Sequence, residues 1–225
     1  TSLLLSLPIA PLAVQAQAAP AQVSQKQSAE LTNLLREGRK LVTSGDLPGA
    51  LAIYQRAAEL DSKNARIFSG IGYVQVQQKN FREAVEAYQK AIALEPDNGD
   101  FHYALGFSLA QLGEDEAAIA AYQRTTQLDR KHLNAYFALG AIFSRQEKYD
   151  EAIATYQQIS TLEPKNAKAR ELLGIMLLQK KQFPEALKVL QQAISLAPKH
   201  SNTHVSLGVA WIHQGNLQQG LNAFE

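Results

Sequence analysis

Residues 72–96 read GYVQVQQKNFREAVEAYQKAIALEP, and three features of this stretch return at a fixed interval along the chain. A glycine (Gly72) is followed twelve positions later by a small residue (Ala84) and sixteen positions later by a large apolar one (Tyr88). The glycine recurs at a constant interval without an insertion or deletion, as Gly38, Gly72, Gly106, Gly140, Gly174 and Gly208. The other two recur with it, as Ala50, Ala84, Ala118, Ala152, Ala186 and Gly220, and as Tyr54, Tyr88, Tyr122, Tyr156, Leu190 and Phe224. A period of this size is typical of a solenoid of stacked repeats.

Each repeat contains two amphipathic helical segments. Apolar residues recur at three- and four-residue spacings, as in Ala84, Tyr88 and Ala91, which is the periodicity of a helix. A polar turn such as QQKNF separates the two segments, and Pro96 between repeats disfavours a helical conformation for the residue before it. We therefore predict about twelve antiparallel helices and no strand over residues 31–225. A glycine inside a helix costs about 1 kcal/mol relative to alanine, and we explain it by close approach of the facing helix at the small residue twelve positions later.

The pattern of Gly72, Ala84, Tyr88, Ala91 and Pro96 resembles the tetratricopeptide repeat, which has the same period. The resemblance implies an all-α fold, a right-handed solenoid of stacked helix-turn-helix repeats. The repeats would span residues 31–64, 65–98, 99–132, 133–166, 167–200 and, incompletely, 201–225. Two repeats depart from the pattern because Ser62 and Arg130 replace the usual proline, and Glu37 replaces an Ile or Leu. Glu37 suits the solvated outer face of an N-terminal capping repeat.

The N-terminal segment differs from the repeats. Residues 1–18 carry no charge and end in Ala16-Gln17-Ala18, the A-x-A pattern that precedes a secretory cleavage site. We predict a signal peptide over residues 1–18, without its basic start, and a flexible linker over residues 19–30, which show no periodicity. Export to the periplasm or cell envelope follows from this interpretation. The alternative is a disordered apolar tail on a cytoplasmic protein.

Composition and motifs give little support for catalysis. The 22 basic and 21 acidic residues nearly cancel, so no overall field attracts nucleic acid, and the absence of cysteine excludes disulfides and thiolate chemistry. His200 and His204 are four positions apart and could share a helix face, but no third metal ligand is in view. We predict a chain that is not an enzyme, with no catalytic residue, cofactor or metal, no nucleic-acid partner and no membrane span in the mature protein.

The resemblance implies that the first helix of each repeat lines an inner, concave groove, at positions three before, one after and four or five after the glycine. Most of these positions are apolar, although Glu171 is among them. An apolar face of this extent marks an interaction site, and aromatic residues supply much of the binding energy at such sites. The predicted partner-binding residues are Tyr73, Tyr103, Phe107, Phe137, Ile175, Leu178 and Val209. The alternative is that these side chains pack between repeats, or are covered by the linker or a neighbouring chain.

Chaperone-binding members of the family hold a C-terminal carboxylate with a lysine at the first of these positions. That position holds Leu35, Ser69, Tyr103, Phe137, Glu171 and Val205 here, so we predict no such clamp. The predicted function is a scaffold that binds an extended or amphipathic segment of another protein in the apolar groove. Two alternatives stay open. One is a regulatory or targeting arm of a larger enzyme whose catalytic domain lies beyond residue 225, and the other is homo-oligomerisation through the open C-terminal end.

Overall fold

A computed structural model describes residues 20–224, with side chains from residue 24 onward. The signal peptide predicted over residues 1–18 lies outside the described residues. Twelve helices and no strand occur between residues 20 and 224, as predicted. The helices are α1 (Pro20–Ser44), α2 (Leu47–Leu60), α3 (Ala65–Gln77), α4 (Phe81–Leu94), α5 (Gly99–Gln111), α6 (Asp115–Leu128), α7 (Leu133–Arg145), α8 (Tyr149–Leu162), α9 (Ala167–Gln179), α10 (Phe183–Leu196), α11 (Ser201–His213) and α12 (Leu217–Asn222).

Helix α1 begins earlier than the sequence pattern indicates. The flexible linker predicted over residues 19–30 is, from Pro20 onward, the first part of this helix. The stretch after Pro20 contains neither glycine nor proline before Gly38. Once the packed half of the helix has formed, each further residue adds a backbone hydrogen bond without a new nucleation cost. Glu30 also forms an ion pair with Arg56 of α2, which anchors the extension.

The helices stack in chain order as a right-handed solenoid. Each first helix packs against the second helix of its own repeat, and that second helix packs against the first helix of the next repeat. First helices also contact one another, as α1 does with α3, α3 with α5 and α9 with α11. The first helices therefore form one continuous layer, which presents the residues that we predict to bind a partner.

The repeated glycine contacts a different residue from the one we predicted. A Cβ added at Gly72 would lie 2.8 Å from Cζ of Tyr88, the large residue sixteen positions later. The same pair forms in all six repeats, ending with Gly208 and Phe224. The glycine therefore makes room for this large side chain, whose atoms are the nearest to the added Cβ in every repeat. In the sixth repeat the carbonyl oxygen of Gly220 would also lie 3.0 Å from a Cβ at Gly208.

The turn inside each repeat ends the first helix with one residue in the left-handed conformation. These residues follow the period of the repeat: Gly45, Lys79, Gly113, Glu147, Lys181 and Gly215. The amide after each one reaches back to the helix, as when Asn80 N–H donates to the carbonyl oxygen of Gln75 at 2.9 Å. This is the Schellman arrangement, which satisfies carbonyl groups at a helix end.

The second helices end at the same repeat position whether or not a proline follows. Helix α2 ends at Leu60 and α6 at Leu128, although Ser62 and Arg130 replace the proline. Capping of the next helix stabilises these two junctions. The side chains of Asn64 and His132 accept hydrogen bonds from backbone amides in the first turns of α3 and α7. The departures from the family pattern therefore leave the helix boundaries unchanged.

Candidate functional site

The candidate site is the outward side of the first-helix layer, which we call the inner face. Its central row consists of the residue after each repeated glycine: Arg39, Tyr73, Phe107, Ala141, Ile175 and Val209. Tyr73 is 48% exposed and Val209 is 37% exposed, whereas Phe107 and Ile175 are half-buried. After Arg39 the row is uncharged in five successive repeats.

Three of the seven predicted residues line one depression. Ile175 and Leu178 of α9 and Val209 of α11 surround a cavity of about 320 Å³, together with Gln179, Val205, Ser206 and His213. Val205 is 50% exposed and Ile212, on the same helix, is 39% exposed. The repeat period brings these residues together because the first helices of successive repeats stack side by side.

The three predicted aromatic residues Tyr103, Phe107 and Phe137 are half-buried and do not line that depression. The Tyr103 ring lies 4.6 Å from the His132 ring, centroid to centroid, and the Phe107 ring meets Phe81 edge-on at 6.5 Å. Phe137 packs against the core around α8 and α9. These rings therefore belong partly to the inner face and partly to the packing between helices, so they are held in fixed positions.

Glu171 is a correction to the predicted inner face. Its side chain is 2% exposed, although its repeat position faces the groove in the family pattern. Lys168 Nζ donates to its Oε2 at 3.0 Å, and Nδ1 of His200 lies 3.5 Å from the same oxygen. The carboxylate is therefore used at the junction of α9 and α11 and is not presented to a ligand.

A basic pocket at the first-repeat end was missed by the sequence analysis. Arg39 of α1 and Arg66 of α3 line a cavity of about 110 Å³ together with Leu35 and Tyr54. The sequence did indicate this pocket, because Arg39 lies one repeat before Tyr73 and is therefore the first residue of the central row.

The histidine pair that resembled metal ligands has other contacts. Nε2 of His204 lies 2.8 Å from the carbonyl oxygen of Pro198, and Nδ1 of His200 lies 3.1 Å from Oγ1 of Thr203. No group of three His, Asp or Glu side chains is arranged to hold a metal within the part of the chain that the structure describes. Among the helices from residue 20 onward, none combines the length and apolar character needed to cross a bilayer.

The tyrosines sixteen positions after the glycines are shielded from water. Burial raises the pKa of Tyr156 to about 12 and also raises the pKa of Tyr88 and Tyr122. The pKa of Tyr54 is raised by burial as well, although the nearby Arg39 charge opposes this shift. These tyrosines are core residues, and their shifts bear on stability.

The C-terminal side of the described solenoid is also apolar. Leu217 is 60% exposed, Leu221 is 48% exposed and Phe224 is 46% exposed. Homo-oligomerisation through this end stays a prediction.

Two sets of family models match the repeats. Models described as TPR repeat match residues 38–79, 76–113 and 108–147, and models described as tetratricopeptide repeat match residues 137–201 and 182–225. These matches together span the chain from Gly38 to Glu225. A search of curated protein sequences finds no match.

Solved structures of TPR proteins share the fold. The crystal structure of YrrB, described as a TPR protein with an unusual peptide-binding site, is 28% identical, with a TM-score of 0.68 over 83% of this chain and 97% of YrrB. A crystal structure of MamA is 26% identical, with a TM-score of 0.71 over 76% of this chain and 94% of MamA. A tetratricopeptide repeat protein from Parabacteroides merdae ATCC 43184 shares the fold at 19% identity, with a TM-score of 0.72 over 87% of this chain and 77% of its own. Because the family models match most of its length, this chain is a member of the tetratricopeptide repeat family.

Proposed function

We propose that this protein is a non-catalytic interaction scaffold that binds an extended or amphipathic peptide segment along its inner face. The observation that carries the proposal is the central row, which presents uncharged side chains from Tyr73 to Val209 on the first helices of five successive repeats. Because first helices stack side by side, a segment that lies across them would meet a new side chain at each repeat. A repeated surface of this kind suits an elongated ligand.

Stacking of the repeats does not account for the most exposed of the apolar side chains on the inner face. The core is formed by other positions, such as Ala152 and Ile159, which are fully buried. Tyr73, Val205 and Val209 remain 48%, 50% and 37% exposed in the stacked solenoid. Contiguous apolar surface is uncommon on a soluble protein unless it binds something. Aromatic rings with few rotatable bonds provide contact area at a low cost in conformational entropy.

The comparison with YrrB supports the same class of ligand. YrrB is described as carrying a peptide-binding site, and its similarity to this chain extends over 97% of its length.

An array of immobilised twelve-residue peptides of varied composition tests the proposal. The wild-type protein is compared with the double variant Tyr73→Ser, Val209→Ser, whose side chains are 48% and 37% exposed. A matched control is Leu94→Ser, Leu196→Ser, because these leucines are similarly exposed, at 37% and 40%, but lie at the ends of second helices. We expect the wild type and the control to bind a common set of apolar peptides, and the inner-face variant to lose most of them. Equal binding by all three proteins, or by none, would refute the proposal.

A further inference from the structure

Two arginines that form no ion pair within the described residues lie at the first-repeat end of the inner face. Arg39 is the only charged residue of the central row, and Arg66 of the next first helix lies beside it in the same small pocket. Both arginine side chains are exposed. The remaining wall is formed by Leu35 and by the buried Tyr54. We call this site the arginine pocket.

No carboxylate neutralises these two arginines among the side chains that the structure describes. Arg39 Nε donates at 3.2 Å to the carbonyl oxygen of Leu35 in its own helix, and neither arginine forms an ion pair with any side chain between residues 24 and 224. Other cations near the inner face are paired, since Arg145 bonds Asp115 and Lys168 bonds Glu171. The arginine pocket therefore differs from the rest of the described face in having positive charge without a partner.

Asp100 is an exposed acidic residue at a repeat position equivalent to one of the two arginines. It occupies the place of Arg66 one repeat later, and its Oδ1 lies 3.9 Å from Nε2 of His132. Its side chain is 90% exposed. It does not pair with either arginine, so the charge of the arginine pocket remains available to a ligand.

The wall of the pocket that Tyr54 forms is held in place by packing. The Tyr54 ring lies between Gly38 of its own repeat and Gly70 of the next, where an added Cβ would stand 2.8 and 2.9 Å from ring atoms respectively. The other repeats have a side chain at the position of Gly70: Arg36, Ala104, Ala138, Leu172 and Ser206. A glycine occurs there only beside the two arginines. The close packing of the ring fixes the wall against which the arginines lie.

We propose that the arginine pocket binds the carboxylate of an aspartate or glutamate side chain in the peptide segment that the inner face holds. A guanidinium group matches a carboxylate with two parallel N–H donors, and two guanidinium groups can share its oxygens. The inference rests on the proposed peptide binding and adds a chemical feature to the ligand: an acidic residue at one end of an apolar stretch. The outer face of α1 is solvated, with Glu37 and Lys40 exposed, so the segment can continue past the pocket. We therefore assign a side chain and not a chain end.

The test uses the best-bound array peptide, made with an acetylated N-terminus and an amidated C-terminus so that its only carboxylates are side chains. It is titrated by fluorescence polarisation, with each acidic residue changed in turn to its amide, against wild type and Arg39→Gln, Arg66→Gln. The matched control is Arg82→Gln, Arg130→Gln, which removes two exposed arginines outside the pocket. We expect one acid-to-amide change to weaken wild-type binding about tenfold. The Arg39→Gln, Arg66→Gln variant should bind the acidic peptide about tenfold more weakly than wild type does. Changing that acid to its amide should not weaken binding to this variant further. The Arg82→Gln, Arg130→Gln control should bind the acidic peptide within about twofold of wild type.

The outcomes separate the two proposals. If peptides bind through Tyr73 and Val209 but lack an acidic residue, or if the acid and arginine changes act independently, the arginine pocket is refuted and the scaffold function stands. If only peptides with a free C-terminal carboxylate bind, the side-chain assignment is wrong. If no peptide binds, or binding ignores both the pocket and the inner-face variants, both proposals fail.

Discussion

The ring of Tyr156 lies so close to the backbone of Gly140 that a Cβ added there would stand 2.6 Å from its Cε1 and Cζ atoms and 3.0 Å from its hydroxyl oxygen. Tyr156 is 2% exposed, so its ring is surrounded by core residues and has little room to move away. This contact explains why the helix interior carries a glycine. An equivalent contact between residues sixteen positions apart forms in every repeat.

Replacement of Gly140 should destabilise the protein by overpacking. We expect Gly140→Ala to lower the free energy of unfolding by about 1–3 kcal/mol, and Gly140→Leu to lower it by more. Urea denaturation measures both. Ala141→Leu, at the next, exposed residue of α7, should change the stability by less than about 0.5 kcal/mol. The contact is identified by combining Gly140→Ala with Tyr156→Ala, because the added methyl group should then cost much less. An undiminished cost in that background would show that something other than the ring opposes the methyl group.

The left-handed residue in the turn between the two helices of each repeat can be changed to stabilise the protein. Lys79, Glu147 and Lys181 adopt φ values of 62°, 57° and 59°, whereas three repeats have glycine at this place. The left-handed conformation is strained for a residue with a Cβ, although glycine loses more entropy on folding. We expect Lys79→Gly and Glu147→Gly each to raise the free energy of unfolding by about 0.5–1 kcal/mol.

The reverse substitution is the matched control. A Cβ at Gly113 would have no atom within 4 Å, so Gly113→Ala tests backbone conformation without a steric clash. It should destabilise by about 1 kcal/mol. If both Lys79→Gly and Gly113→Ala lower the melting temperature, the backbone conformation does not determine stability at this turn.

Alkaline pH should unfold the solenoid partly through its buried tyrosines. Burial raises the pKa of Tyr156 from 10.0 to about 12, so the unfolded chain loses this proton at lower pH than the folded one. The stabilisation is fully present below pH 10 and is lost as the pH rises through 12, to a total of about 3 kcal/mol. Tyr156→Phe should therefore lose less stability than wild type between pH 9 and pH 11.5, as followed by urea denaturation. The difference in free energy of unfolding between the variant and wild type at pH 8 is the reference. If this difference stays constant from pH 8 to pH 11.5, the raised pKa of Tyr156 does not contribute to alkaline unfolding.

The fold could be predicted because its determinants are local and repeated. Gly72, Ala84 and Tyr88 recur in every repeat, directly or as similar residues, so six copies of one weak signal reinforce each other. The repeat period does not specify which residue each repeated position contacts in the folded protein. Gly140 was paired with Ala152 on grounds of size, whereas the geometry of two crossing helices places Tyr156 against it. The extension of α1 was missed because residues 20–30 have no apolar period, and their helix depends on propagation from the packed part.

The candidate site could be predicted only in part, because exposure depends on neighbouring repeats. Tyr73 and Val209 are exposed as expected. Glu171, three positions before its repeat glycine on the same predicted face, is instead buried by contacts with Lys168 and His200. Those contacts depend on which residues follow in the next repeat, and the family pattern does not specify them. The arginine pocket was missed for a similar reason, since Arg39 and Arg66 belong to different repeats and meet only when α1 and α3 stack.

Export remains to be tested at the N-terminus. We expect the precursor to be cleaved after Ala18, because an uncharged apolar run is followed by Ala16-Gln17-Ala18. Mass spectrometry of the mature protein would give the cleavage site directly. Ala16→Lys should block processing while leaving the repeats unchanged. An intact N-terminus on the mature wild-type protein would contradict the prediction of a cleaved signal peptide.

Substitutions on the inner face should weaken binding without loss of stability where the side chain is exposed, and should reduce both where it is packed. Tyr73 and Val209 are 48% and 37% exposed, so Tyr73→Ser with Val209→Ser should leave the free energy of unfolding within about 1 kcal/mol of wild type. The same change should weaken binding of the array-selected peptide by about 2 kcal/mol or more, the scale of an interface hot spot. Phe137 packs against the core around α8 and α9, so Phe137→Ser should reduce both binding and stability.

Circular dichroism melts and peptide titrations on the same samples distinguish these effects. Leu94→Ser with Leu196→Ser removes apolar groups of similar exposure from the ends of α4 and α10 and should change neither quantity by more than about 0.5 kcal/mol. If the Tyr73 and Val209 variant binds as tightly as wild type while the leucine variant does not, the ligand lies on the second-helix side of the solenoid. If the Tyr73 and Val209 variant unfolds, their exposed side chains contribute to packing, and the apolar face would be explained by stability. Loss of binding with an unchanged melt is the result that peptide recognition by this face requires, because only a ligand would then respond to the missing side chains.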